Sequence, residues 1–528
     1  MSHYDVVVMG AGHNGLVAAA YMAKAGKKVI VLERQPFYGG GVTTRELMTP
    51  GYFNDEHSAT HVMILANPLI QNDELGLQSK FGLSYDYMDR SVVSVWDDGT
   101  VLVSWKDLDR TCEEFAKVSP RDAEVYRQFV QAGQKVLPMM MTGLAIPPTP
   151  LGAFVAMMDQ SEQGRFMFDM MQRSARDIIE ETFENELVKL HLLRAVAEAL
   201  INPDDLGTGI AAFMSNAMLH TYGGGVPKGG SGKLSESLVK CIEHYGGEVR
   251  CDAEVARVIV SSGKATGLEL TNGETFMAKD GVIGAIHPHV LDKFVEGVPE
   301  PVVKRAKRVT TTEISVNMIH LNLKKQASLK VGKEYHSHAV ELMDFYTVRD
   351  MCMEFDKIRR GVPSSRLIGG FDVTHTDPSR APAGSGVFYG VHLVPAKLHE
   401  GGLEGWDESK EAIADEALAQ YRKFYDGIDD DNIIARHIGS PMDHQRYSPN
   451  SFLNGDIHGA ANPFYQSMGH RPTPDLGDFR VPEVESLYLV GPAMHPGGGV
   501  TGGGRATAIQ MMDDLGIDYD KVFNEEVR

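Results

Sequence analysis

The chain has 528 residues, of which 43% are hydrophobic and 23% charged. At about 150 residues per domain this predicts three or four units or one large two-domain enzyme, and the ordinary composition excludes a disordered, collagen-like or coiled-coil chain. A formal net charge of −20 repels phosphate backbones, which argues against general nucleic-acid binding and gives no help in docking to anionic lipid.

Cys112, Cys241, Cys251 and Cys352 form no C-x-x-C pair. No disulfide framework, redox dithiol or zinc ribbon is therefore expected, and the expected compartment is a reducing cytoplasm. The first residues lack a basic stretch ahead of an apolar run, so no signal peptide is expected. No run of about 18 apolar residues qualifies as a membrane span.

The Val-rich run from Asp5 to Met9 predicts a buried parallel strand. Gly10-Ala11-Gly12-His13-Asn14-Gly15 follows it, then a predicted helix from Leu16 to Ala25 and a second strand from Lys28 to Leu32. Glu33 ends that strand, 18 positions after Gly15. A G-x-G-x-x-G between a strand and a helix, with an acid at that distance, is a dinucleotide-binding fingerprint. Gly10 permits the tight turn, Gly12 lets a pyrophosphate approach, and Gly15 lets helix and strand pack closely. The helix N-terminus supplies N–H groups and a positive partial charge. Glu33 can accept from ribose hydroxyls and would repel a 2′-phosphate. Arg34 follows, then Gly39-Gly40-Gly41-Val42.

A second glycine cluster, Gly223 to Gly230, precedes a predicted helix from Lys233 to Tyr245. Strands are predicted over Glu248–Cys251 and Glu254–Val260. Asn272-Gly273 predicts a hairpin turn between Leu268–Leu270 and Thr275–Phe276, and Gly281–Ala285 a returning strand. Near the end, Ser486–Val490 predicts a strand, His495 to Gly504 a glycine-rich loop, and Arg505–Leu515 a helix. A helix N-terminus behind such a loop suits an electron-rich acceptor.

Between these clusters, Val136 to Met158 carries no charge, and four prolines prevent a single spanning helix. It predicts an apolar substrate entrance or shallow membrane contact, or a loop-linked helix pair in a cap core. Ala123–Val136 and Phe166–Leu193 predict amphipathic cap helices.

Three segments, DVVVMGAGHNGLVAAAY, VPKGGSGKLSESL and LYLVGPAMHPGGGVTGGGRA, together resemble the phytoene-desaturase-related flavoproteins of the glutathione-reductase-like superfamily. The resemblance covers roughly half the chain and is thin in 106–222 and 301–450. It implies an α/β fold: a Rossmann-type FAD-binding domain near 1–105, 223–300 and 471–528, with a discontinuous α+β substrate or cap domain near 106–222 and 301–470. It implies FAD as cofactor, with contacts at Gly10, Ala11, Gly12, His13, Asn14, Gly15, Glu33, Arg34, Gly40, Gly41, Val42, Val255, Gly491, Gly498, Val500 and Thr501. Many relatives carry Arg after the diglycine, where this chain has Gly41.

No second G-x-G-x-x-G follows a strand, so no NAD(P)H domain is expected, and electrons are expected to leave to O2, a quinone or another protein. Flavin dehydrogenation of an acidic C–H also needs a base. His57, His61, Tyr222 and His495 are the candidates. His57 and His61 are four apart, a spacing that can share a helical face, but no third ligand suggests a metal. The expected reaction is desaturation of a carbon–carbon bond in an apolar or alicyclic small molecule. The rivals are an amine or alcohol oxidase on the same scaffold, and a non-redox isomerase or binding protein.

Overall fold

In the computed structural model, which describes residues 2–523, the strand Ser2–Met9 lies at the centre of a parallel sheet. It pairs with Val29–Leu32 on one side and Thr275–Gly284 on the other. Glu248–Arg250 extends the first side and Leu487–Leu489 the second, both in parallel. Val6, Val7 and Val8 have no exposed surface, as a strand covered on both faces requires. Helices His13–Lys24, Gly232–His244 and Gly504–Asp514 cover one face. An antiparallel meander, Val255–Ser261 and Lys264–Leu270, covers the other. The predicted hairpin arm at Thr275 and the returning strand at Gly281 are one ten-residue strand, Thr275–Gly284. Its first half pairs with the meander and its last residues with Leu487–Leu489.

A second, seven-stranded sheet has the order Ile433–Gly439, Ile314–Leu323, Gly386–Pro395, Ile368–Asp372, Val340–Met343, Arg90–Trp96 and Val101–Trp105. It is antiparallel except where Val340–Met343 meets Arg90–Trp96. The last two strands fall inside the span 1–105 that the resemblance assigns to the cofactor domain. They pair here because Val92 to Trp96 are buried, and their closing partner is Val340–Met343.

The helical region differs from its predicted outline for local reasons. The helix predicted at Ala123 starts at Pro120, where the Ser119 side chain accepts from the Asp122 amide, and runs through Pro138 to Ala145. Pro147, Pro148 and Pro150 then separate it from Leu151–Asp159. The single pattern over 166–193 is three helices, Glu162–Gln172, Ala175–Thr182 and Glu186–Ala197. Ser174 and Asn185 each accept from amides of the next helix, which satisfies the new N-termini.

Candidate active site

A cavity of about 500 Å³ runs from the dinucleotide loop to the second sheet. At the loop end it is lined by Gly10, Gly12, His13, Asn14, Gly15, Glu33, Arg34, Gly40, Gly41, Val42, Gly491, Gly498 and Val500. The helix His13–Lys24 has no side chain capping its N-terminus and no acid in its first turn, which leaves a ready anion site at the cavity wall. A methyl group added at Gly12 would meet nothing within 4 Å, so a ligand can approach the backbone there. At Gly15 it would sit 2.5 Å from the Gly10 carbonyl oxygen. The expected roles of approach and packing thus fall on those two glycines.

Glu33 is fixed by its own loop. One carboxylate oxygen accepts from the Ala11 amide at 2.8 Å and the other from the Gln35 amide at 2.9 Å. Ala11 therefore stands behind the carboxylate and does not line the cavity. The Arg34 guanidinium donates to the carbonyl of Tyr447, whose hydroxyl donates to the Gly40 carbonyl at 2.8 Å. Buried and unpartnered polar atoms cluster here: His13 Nε2, Asn14 Oδ1 and Thr501 Oγ1. Thr501 lies just behind Val500, and its carbonyl accepts from Asn67. Val255, the first residue of the meander, packs in the core and is not part of the cavity lining. A backbone contact from the Ala253 amide to the Glu33 carbonyl is what brings its strand toward the loop.

The candidate bases separate. His57 lines the cavity, its ring centred 4.7 Å from Tyr447 and 5.0 Å from His444, and its Nδ1 has no partner. Burial, with His444 and His320 beside it, holds it well below the ordinary histidine range. His61 does not join it. Residues 56–62 are irregular, so the spacing of four shares no helical face. Both His61 nitrogens are engaged, by Tyr85 at 3.0 Å and Ser231 at 2.9 Å. Tyr222 caps the helix Gly209–Thr221 and packs against a methionine-rich cluster. His495 directs Nε2 at the Gly143 carbonyl at 3.2 Å and packs near Phe479. His61, Tyr222 and His495 therefore have no surface on the cavity; they tie helices and loops together. Arg505, at the start of the last glycine loop's helix, is committed to Glu74 at 2.8 and 2.9 Å.

The far end of the cavity is lined by Met218, Leu219, Val316, Met318, Phe371 and Val391, with His338, Glu198 and Glu341 as polar groups. Arg194, fully buried, is paired with Glu341 and holds Glu198 at 3.2 Å. Burial raises the Glu341 carboxyl; Arg194 opposes the rise and Glu198 adds to it. Local sequence carries no signal for this group. Glu198 follows a helix, Glu341 sits in a strand, and only the packing of Glu186–Ala197 on the second sheet joins them.

The loop, the uncapped helix and Glu33 fit a dinucleotide, and the family resolves which. A family profile described as "Flavin containing amine oxidoreductase" matches residues 15–508. The chain belongs to that family. It is an FAD-dependent oxidoreductase with a Rossmann-type FAD domain and a substrate domain. It is 26% identical to a limonene dehydrogenase chain of Castellaniella defragrans, over 97% of this chain and 95% of the relative. It is 27% identical to pyridine nucleotide-disulfide oxidoreductase domain-containing protein 2 of Mus musculus, over 97% and 94%. Identity to the lycopene-forming phytoene desaturase of Pantoea ananas is 24%, over 96% and 99%. These relatives agree with the resemblance to the carotenoid-desaturase group. A redesigned putrescine oxidase shares the fold, with a TM-score of 0.63 at 14% identity over 97% of this chain and 98% of that one.

Proposed function

We propose that the protein dehydrogenates a carbon–carbon bond of an apolar or alicyclic small molecule. The observation that carries this is the cavity itself. One end is a dinucleotide cradle, and the other is walled by Met218, Leu219, Val316, Met318, Phe371 and Val391. The names of the limonene dehydrogenase and phytoene desaturase relatives support the same reaction class.

FAD held in the dinucleotide cradle would supply the two-electron acceptor for a hydride. The substrate loses two C–H hydrogens and gains a C=C bond. One hydrogen leaves as that hydride with both electrons of its bond, and the other leaves as a proton. Glu198 is the group proposed to take the proton: it lines the cavity, and Arg194 holds its carboxylate in place. The apolar wall keeps bulk water from competing with the base. His57, neutral and nearer the dinucleotide loop, is proposed to position the cofactor. The cofactor contacts at Gly12 to Gly15, Glu33, Gly40 to Val42 and Val500 remain the proposed cradle. The electrons are proposed to leave to O2 or a quinone.

The substrate is proposed to enter past the methionine-rich cluster. Met218, Val62 and Met63 belong both to that cluster and to the cavity wall. On its outer side Met139 is 50% and Met157 47% exposed, within the charge-free segment 136–158. Among the described residues no helix is long and apolar enough to cross a membrane. This face suits contact with an apolar phase, without a span.

The reading is tested by mixing the purified holoprotein anaerobically with cyclic ketones, terpenes, amines and a carotenoid. Bleaching by an alicyclic or apolar compound, with product two mass units lighter, is expected. Bleaching by amines alone, with an imine or carbonyl product, would establish the oxidase instead. Flavin that no compound bleaches would favour the isomerase or binding protein.

A further inference from the structure

His338 is the most unusual side chain on the cavity wall. It is 6% exposed, and neither ring nitrogen has a partner. Its backbone is anchored, since its carbonyl accepts from the Thr60 hydroxyl at 2.8 Å. Its ring centre lies 5.9 Å from that of Phe371, and both residues line the cavity. Burial lowers its proton affinity to a pKa of about 4. At neutral pH the ring is uncharged and offers one N–H donor and one lone pair. Two other polar groups of this wall are engaged: the Tyr389 hydroxyl donates to the His57 carbonyl, and Glu341 is held by Arg194. The Ser91 hydroxyl, also on the wall, is buried without a partner, so the polar spot is wider than one ring. An unpaired buried donor or acceptor costs about 1–3 kcal/mol. A pure hydrocarbon would leave both nitrogens unpaired.

We propose that His338 is a substrate-recognition residue whose ring N–H binds a carbonyl or hydroxyl oxygen carried by the otherwise apolar substrate. The inference rests on the dehydrogenase reading and narrows its substrate class from hydrocarbons to oxygen-bearing alicyclic compounds. It also connects to the chemistry. A carbonyl held by a donor makes its neighbouring C–H more acidic, which is what a carboxylate base such as Glu198 needs. A neutral N–H donor suits a neutral oxygen acceptor.

The probes are cyclohexanone and its parent cyclohexane, titrated into oxidised FAD holoprotein and followed by the absorbance of the bound flavin. Cyclohexanone is expected to bind at least 10-fold tighter than cyclohexane, and its carbonyl stretch to fall in frequency on binding. His338→Phe is expected to erase the preference and the stretch shift while leaving the flavin spectrum in place. His338→Asn, which restores a donor, is expected to recover part of both. Equal binding of the two probes, no response to cyclohexanone, or a stretch shift that survives His338→Phe would overturn the proposal. If His338→Phe fails to hold flavin, the wild-type preference and stretch shift decide. The two readings fail separately. Bleaching by hydrocarbons regardless of His338 contradicts this inference and spares dehydrogenation. Ketone binding through His338 with no bleaching by any compound does the reverse.

Discussion

The two ends of the cavity are built on opposite principles. At the dinucleotide end the working parts are backbone atoms and missing side chains, contributed by a few adjacent residues. Gly12 leaves open space, Gly15 lets the helix touch the turn, and the uncapped helix supplies N–H groups. At the far end, which we propose takes the substrate, the working parts are side chains brought from separate segments. Glu198 comes from the end of one helix, Glu341 from one strand of the second sheet with His338 just ahead of it, and Phe371 and Tyr389 from two other strands. A backbone site tolerates many ligands that share a phosphate. A side-chain site buried in apolar surroundings selects by whether its polar atoms are paired.

The largest expected effect lies at the substrate end. Glu341→Leu strands the fully buried Arg194 guanidinium without its closest partner. It should cost about 3–5 kcal/mol of stability, seen as a fall in Tm. Glu341→Gln, which keeps a hydrogen-bond acceptor for Arg194, should cost less. At the dinucleotide end Gly15→Val places carbon against the Gly10 carbonyl, where 2.5 Å is already too close. Overpacking of about 1–3 kcal/mol is expected there, with loss of bound flavin in the ratio of visible to protein absorbance.

Acid should act where the two ends meet. His57, His320 and His444 are buried and neutral, with His444 lowered to about 4 by burial. Their folded pKa values lie below the unfolded value of about 6.5, so the unfolded chain binds protons first. Their stabilising contribution is complete above about pH 6.5 and is lost as pH falls toward the folded values. At pH 5 the loss is about 2 kcal/mol for His444, read as a fall in Tm between about pH 7.5 and 5. The smallest effect is expected from Glu33→Gln. It turns an amide NH2 toward the Ala11 or Gln35 N–H that the carboxylate accepts from, which weakens the acceptor offered to a ribose by about 1 kcal/mol or some five-fold in flavin affinity.

The same contrast explains what the sequence made legible. Strand, glycine loop, helix and acid are contiguous within residues 5–33, so their geometry follows from local rules, and nearly all the expected cofactor residues there reach the cavity. Of the candidate bases, Tyr222 and His495 sit beside glycine clusters in the chain and His57 and His61 follow the diglycine loop. Only His57 lines the cavity, while His61, Tyr222 and His495 turn into hydrogen bonds and packing. Val255 is likewise a core residue. Glu198, His338 and Glu341 have no local mark, because no loop or spacing surrounds them. Sheet pairing between Val340–Met343 and Arg90–Trp96, and the buried Arg194, assemble that end.

The central claim is that the cavity joins a two-electron acceptor to a carbon–carbon bond. The most direct measurement is an anaerobic single turnover with an alicyclic ketone in excess, counting bleached flavin against unsaturated product by mass spectrometry. One equivalent of product, two mass units lighter than substrate, for each flavin bleached is the predicted result. Flavin bleached with no unsaturated product, or product formed while the flavin stays oxidised throughout, would contradict it.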